Sequence, residues 1–392
     1  MKHRPVLIAG GGIGGISAAI ALARAGFDST VLERSSFAEE SGAGIQLGPN
    51  ATRVLRDLDV LDAITGAACK PEAIFLYDGL SSRRLAAIPI GHSAETRYGA
   101  PYLTLHRADL HAGLRSVAER LAPITLTSDF DVAGIEQRDD DAAVADIDGT
   151  MIEGAAVIGA DGLWSTVRKA IAPHATLRFS GATASRTMIP LAGLSTPFSD
   201  PVVGLWLGPR AHLVHYPVSS GEALNVVAVT EGGAEMQGWN QPADAGTLLS
   251  GFTRWCKESK SLLDRAESWR RWSLYRLPPL PRWSAGRITL LGDAAHPVLP
   301  FLAQGAALAI EDAATLAACV AEQRANVAAA FQQYEALRRP RATRLQHMSQ
   351  RFGGIYHLGG LLRFARNLVL TRRSEEAALR QFDWLYGDVS VS

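Results

Sequence analysis

The sequence predicts an α/β protein in which a Rossmann-like domain is interrupted by a mostly antiparallel β-sheet domain, with helices at the C-terminal end. Three observations predict it. The chain opens with strand, glycine turn, helix and strand. From about residue 180 to 276 the pattern changes to short alternating segments, the signature of an antiparallel sheet. It then returns to a strand at Arg287–Leu291, a loop and a long helix at Gly305–Glu322. The expected division is 1–70, 100–178 and 280–345 for the first domain, 71–99 and 179–279 for the second, and 346–392 for a C-terminal helical region.

Each element has a local reason. Pro5–Gly10 is a short apolar strand. Ile13, Ile16, Ile20 and Ala23 share one helical face, so Ile13–Ala25 reads as a helix packed on a sheet. Ser29–Glu33 is the next strand. Helical patterns recur at Asn50–Ala63 and Arg107–Leu121. Ile124–Ile158 alternates in short strands, and Arg138–Asp141 reads as a solvated turn between two of them. Val202–Leu207, His212–Val218 and Ala223–Thr230 are expected strands of the antiparallel sheet.

Bulk properties narrow the class. A chain of 392 residues is too long for one simple core. With 47% hydrophobic and 20% charged residues it belongs among ordinary globular proteins. Lys+Arg and Asp+Glu both number 39, which gives no field for steering toward a polyanion, so no nucleic-acid partner is expected. Cys69, Cys256 and Cys319 are far apart, which argues against a disulfide framework or a metal site and for a reducing cytoplasm. The basic start Met1-Lys2-His3-Arg4 precedes an apolar run of only Val6–Ala9, too short for a signal peptide. No apolar run reaches the ~18 residues of a membrane span, so no integral membrane association is expected.

The chemistry begins at the first turn. Gly10, Gly12 and Gly15 form GxGxxG between a strand and the helix opened by Ile13. The first glycine permits the tight turn, the second lets the backbone approach a pyrophosphate, and the third lets helix and strand pack closely. Free N–H groups and the helix dipole then face the phosphates. Glu33, followed by Arg34, closes the second strand about 20 residues on, where a carboxylate can accept both ribose hydroxyls of an adenosine. Alone, this fingerprint serves FAD and NAD alike. Stripped of its context it is a glycine turn with a surface Glu.

Two later motifs favour FAD. In Ile158–Arg168, a strand feeds Asp161-Gly162 and a helix start with Ser165 and Arg168; its bland reading is a strand end with a capped helix. In Leu290–Pro297, a strand feeds Gly292-Asp293, then a loop through Pro300 and a helix starting at Gly305-Ala306. Asp293 can hold ribityl hydroxyls, and the helix start can stabilise negative charge on a reduced flavin.

The ordered set GxGxxG, Asp161-Gly162 and Gly292-Asp293 resembles the group A flavoprotein hydroxylases, with the p-hydroxybenzoate hydroxylase-like fold, from Val6 to about Arg344. The resemblance implies FAD as cofactor, with Arg107 in contact with it. It also implies that Gly42–Asn50, with Gly44 and Ile45, forms the loop beside the flavin ring, and that Pro300, Gly305 and Ala306 lie against it. Asp161 would serve FAD and, with Arg168, the nicotinamide cofactor, NADH or NADPH. No second GxGxxG appears, in keeping with a family whose nicotinamide cofactor has no Rossmann domain of its own.

Within that family the details resemble the branch acting on salicylate, 3-hydroxybenzoate and 6-hydroxynicotinate. Leu302–Ala306, with Gln304, has that branch's form, and so does His212–Tyr216. Side chains alternate along a strand, so His212, Val214 and Tyr216 share one face and His215 takes the other. Both His212 and Tyr216 can be ordinary sheet residues; the resemblance makes them base and substrate-orienting donor. Gln46 and Gln304 would line the substrate pocket. The sequence departs from the 6-hydroxynicotinate enzymes, which carry a histidine where Gln46 stands. No arginine is assigned to a substrate carboxylate. His296 reads as structural or flavin-adjacent, because Pro297 fixes its loop. Trp269–Trp272 reads as a packed helix or loop, and Gly359–Arg373 as a docking helix or oligomer contact.

The implied activity is hydroxylation of a small aromatic substrate with NAD(P)H and O2 through a flavin C4a-hydroperoxide, by a monomer or homodimer. A flavin dehydrogenase or reductase, and a non-enzymatic flavin-binding redox sensor, are the competing readings.

Overall fold

A computed structural model describes residues 4–37, 43–236, 238 and 241–387. Gly42 of the expected flavin loop, Met1–His3 and the last five residues lie outside the described residues. Two sheets organise the chain. The first has six strands in the order 284–285, 288–290, 156–159, 6–9, 29–32 and 124–127; all neighbours are parallel except the first pair. Strand Val6–Ala9 is at most 2% exposed, because helix Ile13–Arg24 and a small three-stranded sheet of 132–137, 142–146 and 151–154 both pack against it. Helix Ile13–Arg24 packs on one face together with helix Gly305–Glu322.

The second sheet has eight strands in the order 241–242, 270–276, 178–190, 223–231, 211–218, 203–208, 74–78 and 84–88. Its neighbours are antiparallel except 203–208 with 74–78. The expected strands at 202–230 are all present, with ends shifted by a residue or so. Arg138 donates its N–H to the carbonyl of Asp141, closing the turn read from the charge run.

Two elements differ from the sequence reading. Asn50–Ala63 is not one helix but Pro49–Asp57 and Leu61–Thr65. Asp59 takes a left-handed φ of 53°, and Val60 N–H bonds back to Leu55, so the first helix ends in a reversal that apolar spacing conceals. Trp269–Trp272 is neither helix nor loop: Arg270–Arg276 is a strand, paired with 178–190, and Trp269 is buried against the sheet.

Helices Val327–Tyr356 and Gly360–Thr371 close the molecule over the second sheet. The second of these helices is pinned by one buried carboxylate. Arg363 donates from Nε and Nη2 to the two oxygens of Asp78 at 2.9 and 2.7 Å, and Asn367 donates to the same group. Arg363 holds Asp78 below the usual carboxylate range against the burial that pushes it up. The opposite face leaves Leu361, Phe364 and Val369 exposed. Among the described residues, no helix is long and apolar enough to cross a membrane.

Removing Arg363 strands a buried charge. Arg363→Ala should lower unfolding stability by about 3 kcal/mol, the scale for breaking a buried pair on one side. Urea unfolding would measure it; a loss under about 1 kcal/mol would show that Asn367 alone holds the helix.

Candidate active site

The three motifs meet because their strands are neighbours. Gly10 follows strand 6–9, Asp161 follows 156–159 and the Gly292-Asp293 turn follows 288–290. All three therefore lie at the carboxyl edge of adjacent parallel strands, where such sheets bind ligands. Gly10 has φ +103°, and a Cβ there would sit 2.4 Å from the Ala160 carbonyl oxygen. A Cβ on Gly15 would lie 1.9 Å from the Gly10 oxygen. At Gly12 a Cβ would meet nothing within 4 Å, so this glycine faces open space. The first and third glycines serve packing, and the second leaves room for a phosphate.

The loop is braced from both sides. Gly11 donates its N–H to Glu33 Oε2 at 2.7 Å, and Glu33 Oε1 also accepts from Ser35. The Gly11 carbonyl lies 2.8 Å from Nε2 of buried His111. Glu33 thus shapes the loop while standing at the expected adenosine position, and Arg34 beyond it is exposed.

Asp161 Oδ2 accepts from Thr166 and Val167 N–H at 2.7 and 3.0 Å. Its Oδ1 is buried with no protein donor. A buried carboxylate oxygen without a partner is costly, so this atom awaits a donor such as a cofactor hydroxyl. Burial pushes the Asp161 pKa up. Asp293 faces the same cleft. Water reaches its side chain, yet protein surrounds it closely enough that desolvation raises its pKa, with His296, Arg107 and Arg168 acting the other way. Open cleft, spare carboxylate oxygens and cationic neighbours fit FAD.

Strands Gly44–Leu47 and Leu103–His106 pair antiparallel, with Gly44 opposite His106. That pairing sets Arg107 beside Gly44 and Ile45, and Arg107 N–H donates to Ala43. Gly44 also joins this two-stranded ribbon to the second sheet: its N–H donates to Asn225 Oδ1 at 2.9 Å, and a Cβ there would clash with Tyr216.

Gln46, next to Ile45 on the same strand, lines a cavity of about 630 Å3, within the range of small-molecule sites. Its walls are the second sheet, the 300–303 loop and the C-terminal helices. Leu205, Val214, Phe301 and Phe352 make most of it apolar; Gln46, Tyr102 and His212 are among its buried or half-buried polar points, and exposed Arg351 and Arg373 stand in its outer wall. Pro300 lies in its wall, and Ala303 holds a left-handed φ of 52° there. Gly305 and Ala306 open the next helix, half-buried.

His212 and Val214 line the cavity, and His215 lies on the other face of the sheet against Phe198 and Trp206. His212 is 2% exposed. Tyr216 sits deeper, against Gly44, and hydrogen-bonds Gln46, whose Oε1 also accepts from Tyr102 at 2.8 Å. His212 and Tyr216 therefore share a face as the alternation predicts, but Gln46 stands on the cavity side of Tyr216.

Other sequence-selected residues are placed differently. Arg168 is buried, and its guanidinium donates to the carbonyls of Leu163 and Ala294, so it braces the two acidic turns from inside. Gln304 points away from the cavity and accepts from Asn50 at 3.0 Å; Pro300–Ala303 take the wall instead. His296 is structural, 2.6 Å from Asp312 and stacked on Trp283. Sequence reading missed His111, Tyr102 and His357, which sits 2.7 Å from His212. None lies in a recognisable motif.

Glycine and acidic turns at three neighbouring strand ends, with an apolar chamber beside the 44–47 strand, fit a flavoprotein that acts on a second, small molecule. The chain belongs to the FAD binding domain family, which matches residues 3–349. It is 36% identical over 384 residues to a 3-hydroxybenzoate 6-hydroxylase from Polaromonas naphthalenivorans (strain CJ2), covering 98% of this chain and 96% of that one. It is 34% identical over 359 residues to a 6-hydroxynicotinate 3-monooxygenase from Bordetella bronchiseptica, covering 89% and 91%. Klebsiella pneumoniae HpxO, solved with FAD and uric acid, has the same fold at a TM-score of 0.86 and 24% identity, covering 99% and 98%. The protein is an FAD-dependent monooxygenase.

Gly12→Ala should leave the apoprotein's thermal midpoint unchanged and weaken FAD retention, because its Cβ enters only the phosphate space. Asp293→Ala should also give a paler protein. Flavin absorbance after gel filtration checks both; variants as yellow as the parent would contradict these assignments.

Proposed function

We propose that the protein hydroxylates a small phenolic or hydroxylated aromatic acid with NADH or NADPH and O2, and that His212 takes the phenolic proton. One observation carries this reading: a buried imidazole on the wall of an apolar cavity adjoining the flavin loop. Burial, with His357 beside it, holds His212 well below its ordinary value of 6.5. At neutral pH the ring is uncharged and can accept a proton, as a general base must. FAD, once reduced by the nicotinamide cofactor, supplies the activated oxygen when bound.

The chain's own residues do the rest. The apolar walls exclude water. His212 removes the phenolic proton, which enriches the ring carbons ortho and para to that oxygen. Gln46, tied to Tyr102 and Tyr216, orients the ring. Arg351 and Arg373 in the outer wall supply positive charge for a carboxylate. The names of the relatives support the substrate class. An amide at Gln46 favours a hydroxybenzoate over 6-hydroxynicotinate. Asp161 is placed to serve the nicotinamide cofactor as well as FAD. The two sheets support the domain division read from the sequence, and three free cysteines suit a reducing cytoplasm.

The test follows NAD(P)H oxidation, oxygen uptake and peroxide together across hydroxylated benzoates and pyridine carboxylates. One compound should accelerate oxidation with little peroxide. Responses that all end as peroxide, or none, would promote the reductase or sensor reading. His212→Ala should cut hydroxylation ~100- to 10,000-fold. Because the His212 pKa is lowered, its neutral form persists below pH 6.5, so kcat/KM should hold through that pH and fall only in more acid solution.

A further inference from the structure

The base in the cavity has an exit. His212 Nδ1 lies 2.7 Å from His357 Nε2, and His357 Nδ1 lies 2.7 Å from Glu231 Oε1. His212 is 2% exposed, His357 is 8% exposed, and the Glu231 side chain is 40% exposed. Three groups in contact thus run from the cavity wall to solvent.

Donor counting fixes the protons on this chain. A carboxylate only accepts, so His357 must carry its proton on Nδ1. Its Nε2 is then a bare acceptor, so the His212 proton sits on Nδ1. His212 Nε2 is left unprotonated for a ligand in the cavity, which is the form a base needs. An ionised glutamate at the surface therefore sets, through two rings, the basic nitrogen inside.

Resting on the hydroxylase reading above, we propose that His357 and Glu231 form with His212 a proton path from the substrate phenol to solvent. The phenol O–H bond breaks and its proton goes to His212 Nε2. The Nδ1 proton of His212 passes to His357 Nε2, and the Nδ1 proton of His357 passes to Glu231, which releases it to water. Both rings end neutral with the opposite tautomer, and the negative charge stays on the phenolate. Reprotonation of the product oxygen runs the path backwards and restores the starting tautomers. His357 and Glu231 act through His212 and are positioning residues.

The surroundings supply the need. An imidazolium trapped in an apolar cavity is costly, and two charged rings at this distance repel. Burial lowers the pKa of both rings. The charged groups around the path are Arg210, 3.9 Å from Glu231, and Arg366, bonded to the carbonyls of Ile355 and Tyr356. Tyr356 and Phe301 pack on His212, and the Tyr356 hydroxyl is engaged with the Phe301 carbonyl. His357 is held by its own N–H to Gly353 and by Arg210 N–H on its carbonyl. A clip joining the last helices to the sheet would need these contacts too, but its alteration would leave the solvent isotope effect on turnover unchanged.

Glu231→Gln is the test, since the residue is partly exposed and the amide keeps a hydrogen bond without taking a proton. Nitrogen-15 NMR of histidine in the FAD-loaded protein should find Nδ1–H in both rings of the parent. With 3-hydroxybenzoate as probe, kcat should fall by about 100-fold, the lower end for losing an acid–base group, with KM unchanged, and the solvent isotope effect should rise. Glu231→Asp should restore part of the rate. Nε2–H on His212 in the parent, or a Glu231→Gln variant whose rate and isotope effect match the parent's, would overturn the path. If the tautomers are as stated but no phenol of the panel is hydroxylated, the hydroxylase reading fails, and the path fails with it for want of a proton to carry.

Discussion

The site depends on one buried carboxylate, Asp312. It lies inside helix Gly305–Glu322 with no exposure and binds three groups from two other parts of the chain. Its Oδ1 accepts from Arg338 at 2.7 Å; its Oδ2 accepts from His296 at 2.6 Å and from Gly292 N–H at 3.1 Å. Burial opposes the charge, yet His296 and Arg338 hold its pKa down to about 2. Next to it, Glu311 binds Arg338 and Arg341 and accepts from Asn50. Buried charges persist only when fully paired. Here the pairing makes the Gly292-Asp293 turn, the 305 helix and the long C-terminal helix move as one body.

That coupling matters because the two halves of the site come from different sheets. The parallel sheet presents three loops at its carboxyl edge and forms the FAD cleft. The antiparallel sheet presents one apolar face and forms the cavity. The two-stranded ribbon of 44–47 and 103–106 packs against the second of these sheets, where Gly44 meets Asn225 and Tyr216 and Gln46 bridges Tyr102 and Tyr216. A side chain at Gly44 would push this ribbon off the antiparallel sheet. The loop from Pro300 to Ala303 closes the remaining side, held through Ser349 on Leu299 and Tyr356 on Phe301.

Much of this was legible in the chain. A glycine fingerprint is local geometry, so Gly10, Gly12 and Gly15 could be assigned distinct duties before any contact was known. Strand alternation correctly separated His212 from His215. Reversals were harder: Asp59 ends a helix by adopting a left-handed conformation that its neighbours do not announce. Arg168 and Gln304 stand in motifs that point toward ligands, while their hydrogen bonds go to the Leu163 and Ala294 carbonyls and to Asn50, contacts that motif position does not announce.

The sequence by itself determined the fold class, the phosphate loop, the two acidic turns and the strand face that carries His212, because each follows from short-range periodicity or turn chemistry. The tertiary structure alone decided what those elements share. It put three distant turns at neighbouring strand ends, drew His357 from the end of a long helix onto His212, and set Glu231 behind it. Such contacts join residues more than a hundred positions apart. They depend on how helices and sheets pack, and no local pattern encodes that.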